Sequence, residues 1–463
     1  MSDTFIDSIQ KHRAFLASDR KHILMITNHG IHQWQVIPGL PDTGGQNVFV
    51  NEFTKALVER GFEVTIANRG GYPHPVTDEM RRGIRYKDEH QRIVYLEDDT
   101  KEFIRKEDMP EQIPQLVESL KTFLANQGAQ VDLIISHYWD GAKIGVEYNR
   151  GRREPVKHIW VPHSLGAIKK RNVAEAEWPE LRINERIEIE QSMIDELDGI
   201  AATSTAIQQS LEDDYGYDGP TLFLPSCIDT ERYHPREISN DDEIWQFLSR
   251  RSGLTPEEVR SCKIVTEISR TDTTKRKDVL IKAFAEVHKQ LPDSLLVMSI
   301  DDSNKKLAQK LKDLISECHL DDSTAVVGYI WDRLPKVYAV TDVYCTPSIM
   351  EGFGMSAQEA TATKVPVVSS QLVPFVTEYL LGENVKEVWY DQEKQEQPLR
   401  LGCGAIVVPA DDVTGFAYAL QMLLTDDDLR RQMGEEAYEV TVPYFSWSRV
   451  VDNFLDKIGV SAT

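Results

Sequence analysis

Cysteine is scarce in this sequence. The 463 residues contain five, Cys227, Cys262, Cys318, Cys345 and Cys403, odd in number, far apart and without a CxxC pair. That pattern argues against a disulfide framework or a zinc site and suits a reducing, cytoplasmic setting. Long apolar runs are missing too, since no stretch approaches the roughly 18 consecutive residues of a transmembrane helix. The N-terminus, MSDTFIDSIQKHRAF, has no apolar segment ahead of a cleavage site and does not read as a signal peptide. Basic charge is in deficit: 52 Lys and Arg stand against 75 Asp and Glu, a net charge of −23. A nucleic-acid or anionic-membrane partner is disfavoured, because both demand a basic face. A small anionic ligand needs only a few well-placed cations and stays open.

What the chain has is alternation. Short apolar, β-branched runs recur with helical stretches between them: HILMIT (22–27), EVTIANR (63–69), RIVYLE (92–97), DLIISH (132–137), HIWVPH (158–163), GIAATS (199–204) and TLFLPS (221–226). A second series follows: KIVTEIS (263–269), SLLVMSI (294–300), TAVVGYI (324–330), DVYCTPS (342–348), VPVVSS (365–370) and AIVVPA (405–410). Such alternation predicts parallel sheets with helices on both faces, and the length exceeds one core. The expectation is an α/β chain of two doubly wound, Rossmann-like domains, residues 1–230 and 231–443, with a ligand cleft between them. From 228 to about 260 the pattern breaks into DTERYHPREISNDDEIW and a charged helical stretch, together read as a linker, and 383–402 reads as a polar surface excursion. The tail YFSWSRVVDNFLDKI (444–458) has helical spacing; a helix over about 444–460 is expected to return to the first domain.

Several residues at expected strand ends could carry chemistry. Gly44 and Gly45 precede a helix-like segment whose first turn offers unpaired N–H donors to a phosphate, although a Gly-Gly pair also suits an ordinary turn. In SRTDTTK (269–275), Arg270 and Lys275 combine a guanidinium fork with a point-charge ammonium, a pair able to hold a diphosphate; solvated surface charge is the rival reading. Glu351 and Glu359 flank the next strand-to-helix junction. Carboxylates there can accept from adjacent sugar hydroxyls, and Gly352 and Gly354 let backbone N–H groups come close, or the acids simply cap a helix. His137 and His163 stand at the same sheet edge as Gly45, with Lys169 and Arg186 supplying positive charge near the second histidine.

The segments DTGGQ (42–46), SHYWDG (136–141), PHSLGAIK (162–169), SRTDTTK (269–275) and EGFGMSAQEA (351–360) resemble, in order, the signature segments of retaining GT-B glycosyltransferases of the sucrose-phosphate synthase and sucrose synthase group. The resemblance spans about residues 20–450. It implies the GT-B architecture, with an N-terminal acceptor domain and a C-terminal nucleotide-sugar domain. It also implies transfer of a hexose, glucose first, from a nucleoside-diphosphate donor such as UDP-glucose, without metal or other cofactor. The implied catalytic residues are His163, Arg270, Lys275 and Glu351. The implied donor contacts are Gly44, Gly45, Gly352, Phe353, Gly354, Met355 and Glu359, and the implied acceptor contacts Gln46, His137, Lys169 and Arg186. Arg270 and Lys275 would hold the diphosphate, Glu351 the hexose hydroxyls and Glu359 the ribose, with the backbone carbonyl of His163 near the reacting carbon.

Fructose 6-phosphate, giving sucrose 6-phosphate, is the leading acceptor. Fructose, another sugar, glycerol or glycerate stand behind it, and a sugar-nucleotide epimerase or a non-catalytic nucleotide-sugar binder are the other classes. Three departures from the group matter. Its Arg-Arg pair after the PHSLG loop is matched by ERIEIEQSM (185–193), which puts Gln191 and Ser192 in those places. SSQLVPFVTEYLLG (369–382) replaces a glycine-rich loop near the donor sugar, and Gly352 replaces a proline. No nucleic-acid or membrane partner is expected.

Overall fold

The computed structural model describes residues 3–37, 40–328, 330–391, 393 and 395–462. They divide into two units: residues up to Pro225 together with those from Trp447 onward, and residues Ser226–Ser446. The first unit holds β1 (His22–Thr27), β2 (Glu63–Arg69), β3 (Gly83–Tyr86), β4 (Gln91–Leu96), β5 (Leu133–His137), β6 (Lys157–Val161), β7 (Gly199–Ala202) and β8 (Thr221–Phe223). They order as β3-β4-β2-β1-β5-β6-β7-β8, parallel except for the β3 edge. The second unit holds β9 (Lys263–Glu267), β10 (Ser294–Ser299), β11 (Thr324–Val327), β12 (Val343–Thr346), β13 (Val367–Ser370), β14 (Lys386–Val388), β15 (Leu399–Leu401) and β16 (Ala405–Val408). Its order is β11-β10-β9-β12-β13-β16-β15-β14, with β14 and β15 antiparallel.

The central strands are continuous apolar runs because helices cover both faces and water reaches neither. Every residue of β1, β2, β4, β5 and β10 is buried. In each sheet the chain reverses direction of winding beside the first strand: β1 lies between β2 and β5, and β9 between β10 and β12. Loops leaving the carboxyl ends of these strands diverge there, which is where doubly wound sheets hold ligands.

Two expectations are corrected. The stretch taken as a linker carries helices Glu243–Ser252 and Pro256–Ser261, and buries Ile244, Leu248 and Val259 in the second unit's core. Thr255 and Glu258 close a reciprocal cap between them, Thr255 N donating to Glu258 Oε2 at 2.7 Å and Glu258 N to Thr255 Oγ1 at 3.3 Å. The excursion at 383–402 instead contributes β14 and β15, which extend the sheet and bury Leu399. Gln392 and Lys394 of that stretch, and Tyr329 of the TAVVGYI run, lie outside the described residues. The terminal helix Trp447–Ile458 packs on helix Gly45–Glu59 of the first unit, Trp447 stacking on Phe53 with ring centroids 5.6 Å apart.

Candidate active site

In the second unit, β9 runs into a 3₁₀ turn, Thr273–Lys275, capped by Asp272, whose Oδ1 accepts from Thr274 N at 2.8 Å. Arg270 is exposed, and its guanidinium makes no hydrogen bond or ion pair among the described residues. Beneath this loop a fully buried pair, Lys277 with Glu267, is completed by Ser269 O and Ser299 Oγ, both accepting from Lys277 Nζ. After β12 the chain crosses to the same place. Thr274 O accepts from Ile349 N at 2.8 Å and from Ser348 Oγ at 3.2 Å. These ties bring Lys275 Nζ to 2.5 Å from Glu351 Oε1, with side-chain exposures of 12% and 21%.

The rest of EGFGMSAQEA shows why each residue type is there. Gly354 has φ +119°, and a Cβ would stand 2.7 Å from Val373 Cγ1, so only glycine turns the chain into helix Met355–Thr361. Phe353 points into the core among Phe375, Tyr379 and Phe445, where it anchors the loop through an aromatic cluster. Glu359 lies within the helix. Tyr338 Oη donates to its Oε2 at 3.0 Å, and burial pushes its carboxyl up to about 7 against the opposing pull of Tyr338, Arg232 and Tyr233.

In the first unit, Gly30 at φ +75° leaves no room for a Cβ against the backbone of Asp42, so the loops at 28–31 and 40–44 close on each other. Asn47 Oδ1 accepts from Gly44 N at 2.9 Å at the start of helix Gly45–Glu59, and Gln46 Nε2 donates to Thr27 Oγ1 at 3.1 Å. Parallel pairing sets Thr27 beside His137 and His137 beside Val161. His163, two residues beyond β6, therefore meets His137, its Nε2 lying 2.9 Å from His137 Nδ1. Burial holds both imidazoles neutral, driving His163 down to about 3 and His137 well below its usual value. His163 adopts φ +56°, in the left-handed region that few residues other than glycine enter.

Arg186 holds the residue that follows, Ser164. Its guanidinium, 5% exposed, donates to Glu190 Oε1 at 2.7 Å, Tyr138 Oη at 2.5 Å, and Ser164 O at 2.6 Å. Glu190 Oε2 in turn accepts from Gly166 N at 2.9 Å. Arg186 thus braces the segment that carries His163, and a direct acceptor contact would require it to give up one of these bonds. Lys169 lines a pocket with Lys106, Arg182, Arg186, Tyr138 and Trp139. Glu107 shares Lys106 and Lys169 at 3.5 and 3.7 Å. Lys106 also donates from its backbone N to Asp42 Oδ2 at 3.0 Å and pairs with the other oxygen through Nζ. Burial alone would raise the Asp42 carboxyl, but Lys106 outweighs it and holds Asp42 well below the usual carboxylate range.

The residues at the expected arginine-pair positions lie away from the pocket lining. Gln191 Nε2 donates to Tyr215 O and Ser192 Oγ to Ile189 O, while the arginines reaching the pocket are Arg182 and Arg186, four residues apart. Sequence reasoning missed Lys106, Asp42, Tyr138 and Tyr338. The signal available was KEDMP at 106–110, a cation and two acids ahead of a helix-starting proline. Among the described residues no group of three or more His, Cys, Asp and Glu side chains is arranged to hold a metal ion, and no helix is long and apolar enough to cross a membrane.

Two family models match, Glycosyltransferase Family 4 over residues 43–232 and Glycosyl transferases group 1 over 257–440. Similar proteins include mannosylfructose-phosphate synthase of Agrobacterium fabrum, 29% identical over 75% of this chain and 75% of that protein. D-inositol 3-phosphate glycosyltransferase of Nocardia farcinica is 28% identical over 91% of this chain and 85% of its own. The solved structure of sucrose-phosphate synthase from Thermosynechococcus elongatus has the same fold, with a TM-score of 0.78 at 23% identity, covering 95% of this chain and 98% of that one. With a glycosyltransferase model matched in each unit and two Rossmann-like sheets of this order, the chain is a glycosyltransferase of the GT-B class, related to the sucrose-phosphate synthase-like enzymes.

Proposed function

We propose that the protein is a retaining, metal-independent hexosyltransferase that moves glucose from a nucleoside-diphosphate donor to a phosphorylated sugar or polyol, with fructose 6-phosphate as the first acceptor to try. The observation that carries the acceptor class is the pocket lined by Lys106, Lys169, Arg182 and Arg186 in a chain of net charge −23. The lining carries these four cations against two carboxylates, Glu107 and Glu185, and that excess of positive charge suits a phosphate. The compared relatives have names that carry a sugar or polyol phosphate, which agrees with this reading.

On the donor side, Arg270 and Lys275 take the diphosphate, and Glu351, released from Lys275 when the ligand enters, accepts from hexose hydroxyls. Glu359 accepts from the ribose, Met355 and Gly352 offer backbone N–H groups, and Gly44 and Gly45 face the distal phosphate. Fixed cations then stabilise the charge that develops on the leaving nucleoside diphosphate without reorganising. His163, held neutral, positions its backbone carbonyl beside the reacting carbon, while Gln46, His137 and Lys169 face the acceptor. Departure of the phosphate oxygen with the acceptor proton on the same face accounts for retention without a carboxylate nucleophile.

The test is nucleoside-diphosphate release from UDP-, ADP- and GDP-glucose crossed against fructose 6-phosphate, glucose 6-phosphate, myo-inositol 3-phosphate, fructose, glycerol and glycerate, with chelator present. Release dependent on a phosphorylated acceptor supports the proposal. Release only with unphosphorylated acceptors overturns the assignment of the cationic pocket.

A further inference from the structure

Each of the four cations lining the pocket has a carboxylate partner, and the pairs differ in how firmly they are enclosed. Arg186 pairs with Glu190, whose side chain is fully buried, and Lys106 and Lys169 share Glu107, itself buried. Arg182 is the outer cation, just before helix Ile183–Met193, with 28% of its side chain exposed. Its Nε donates to Glu185 Oε2 at 2.5 Å and its Nη2 to Glu185 Oε1 at 2.7 Å. Along the neighbouring edge, Nη2 and Nη1 donate to the two oxygens of Glu111 at 2.7 and 3.2 Å, from the 3₁₀ turn Pro110–Gln112. Both bidentate edges of the guanidinium are thus taken by carboxylates. Glu185 lines the pocket and Glu111 does not, so the edge that faces a ligand is the one Glu185 occupies. Exchange costs least there, because a displaced carboxylate must be rehydrated and Glu185, 39% exposed, already reaches water.

We infer that Glu185 is an internal stand-in for the acceptor's phosphate: its carboxylate occupies Arg182 while the pocket is empty, and a phosphate displaces it where a free carboxylate does not. The inference rests on the acceptor class proposed above and adds a competitor that the protein itself supplies. A tethered carboxylate competes at high effective concentration. A carboxylate arriving from solution offers Arg182 the same two oxygens without that advantage, so it leaves the pair of Arg182 and Glu185 intact. A phosphomonoester brings about −1.5 to −2 charges and three oxygens, enough to take the Nε,Nη2 edge and turn a spare oxygen toward the lysines. Glu111, outside the lining, keeps its bonds through the exchange. Glu185 therefore weakens every anion that uses Arg182, and weaker anions lose the use of Arg182 altogether.

The experiment uses the full chain and two probes, inorganic phosphate and glucuronate, as competitive inhibitors of whichever phosphorylated acceptor the wild type turns over. Glu185→Gln tightens phosphate inhibition about three- to fivefold, the upper range for a half-exposed ion pair. In an Arg182→Gln background the same substitution leaves phosphate inhibition unchanged, because the competition runs through Arg182. Arg182→Gln weakens phosphate in the otherwise wild-type protein and leaves glucuronate as it was, whereas in the Glu185→Gln protein it weakens both. Phosphate inhibition that does not tighten in Glu185→Gln overturns the inference. So does tightening that persists without Arg182, since that is plain charge repulsion, and so does glucuronate that already depends on Arg182 in the wild type. Should Glu185→Gln not fold, Glu185→Ala carries the same comparison with the same outcomes. Wild-type protein that turns over only unphosphorylated acceptors refutes the acceptor class, and the inference falls with it; turnover of a phosphorylated acceptor without the Arg182-dependent tightening sinks the inference alone.

Discussion

Removing Lys275 should disable turnover while leaving the fold intact. Its ammonium sits 2.5 Å from Glu351 Oε1, both side chains mostly screened from water. The two loops are tied independently through Thr274 O, so Lys275→Ala leaves their path in place. On the role proposed for Lys275, what disappears is a preorganised cation at the leaving diphosphate, and one such contact is worth about 3–4 kcal/mol in the transition state. At about 1.36 kcal/mol per tenfold, that is a loss of roughly 10² to 10³ in turnover. Glu351→Ala, which removes the proposed acceptor for the hexose hydroxyls, should fall in the same range. The two side chains share one contact, so their effects should not add. The double variant should retain at least about tenfold more activity than the product of the two single losses. The assay is coupled nucleoside-diphosphate release at saturating acceptor, with circular dichroism and a denaturant titration on each variant. A folded Lys275→Ala protein within threefold of wild type would refute the reasoning, and strictly additive losses would refute the coupling.

Two further outcomes follow from buried charges. The Glu359 carboxyl rises from its ordinary 4.5 to about 7 on folding, so the folded state holds the proton more tightly than the unfolded one. The stabilisation, at most about 3 kcal/mol, is fully present below pH 4.5 and is lost as pH rises through 7. A ribose donating to the ionised carboxylate should therefore bind about tenfold more tightly for each pH unit up to about 7 and level off above it. Calorimetric UDP titrations from pH 5.5 to 8.5 check this, and Glu359→Gln should flatten the profile. Arg186→Met should destabilise the first unit by about 3–5 kcal/mol by leaving Glu190 buried without its cation. Urea unfolding followed by tryptophan fluorescence measures it, and a loss under about 1 kcal/mol would contradict the bracing role.

The fold was legible because its central strands are buried on both faces, and that burial writes itself into apolar runs such as HILMIT and SLLVMS. The edges were not. β3, β14 and β15 are three or four residues long and partly exposed, so their polarity matches that of a loop. Helix Glu243–Ser252 was legible as a charged helical stretch, but its place in the second unit's core through Ile244 and Leu248 was not, because a charged face also suits a linker. Site residues within one motif could be read together, as Glu351 and Glu359 were. Contacts that depend on folding could not: Lys106 meets Asp42 across 64 residues, and Arg182 meets Glu111 across 71. Phe353 shows the opposite limit, since a residue expected among the donor contacts spends its side chain on the core that holds its loop.

The central claim is transfer of the donor hexose to a phosphorylated acceptor, and following the donor's anomeric carbon tests it most directly. UDP-glucose or ADP-glucose labelled with ¹³C at that carbon would be incubated with fructose 6-phosphate, glucose 6-phosphate or myo-inositol 3-phosphate and read by ¹³C NMR and mass spectrometry. The account predicts the label in a new α-linked glucoside that carries the acceptor's phosphate. Label recovered in an inverted, β-linked product, in an epimerised sugar nucleotide formed without acceptor, or in a glucoside lacking phosphate would contradict it.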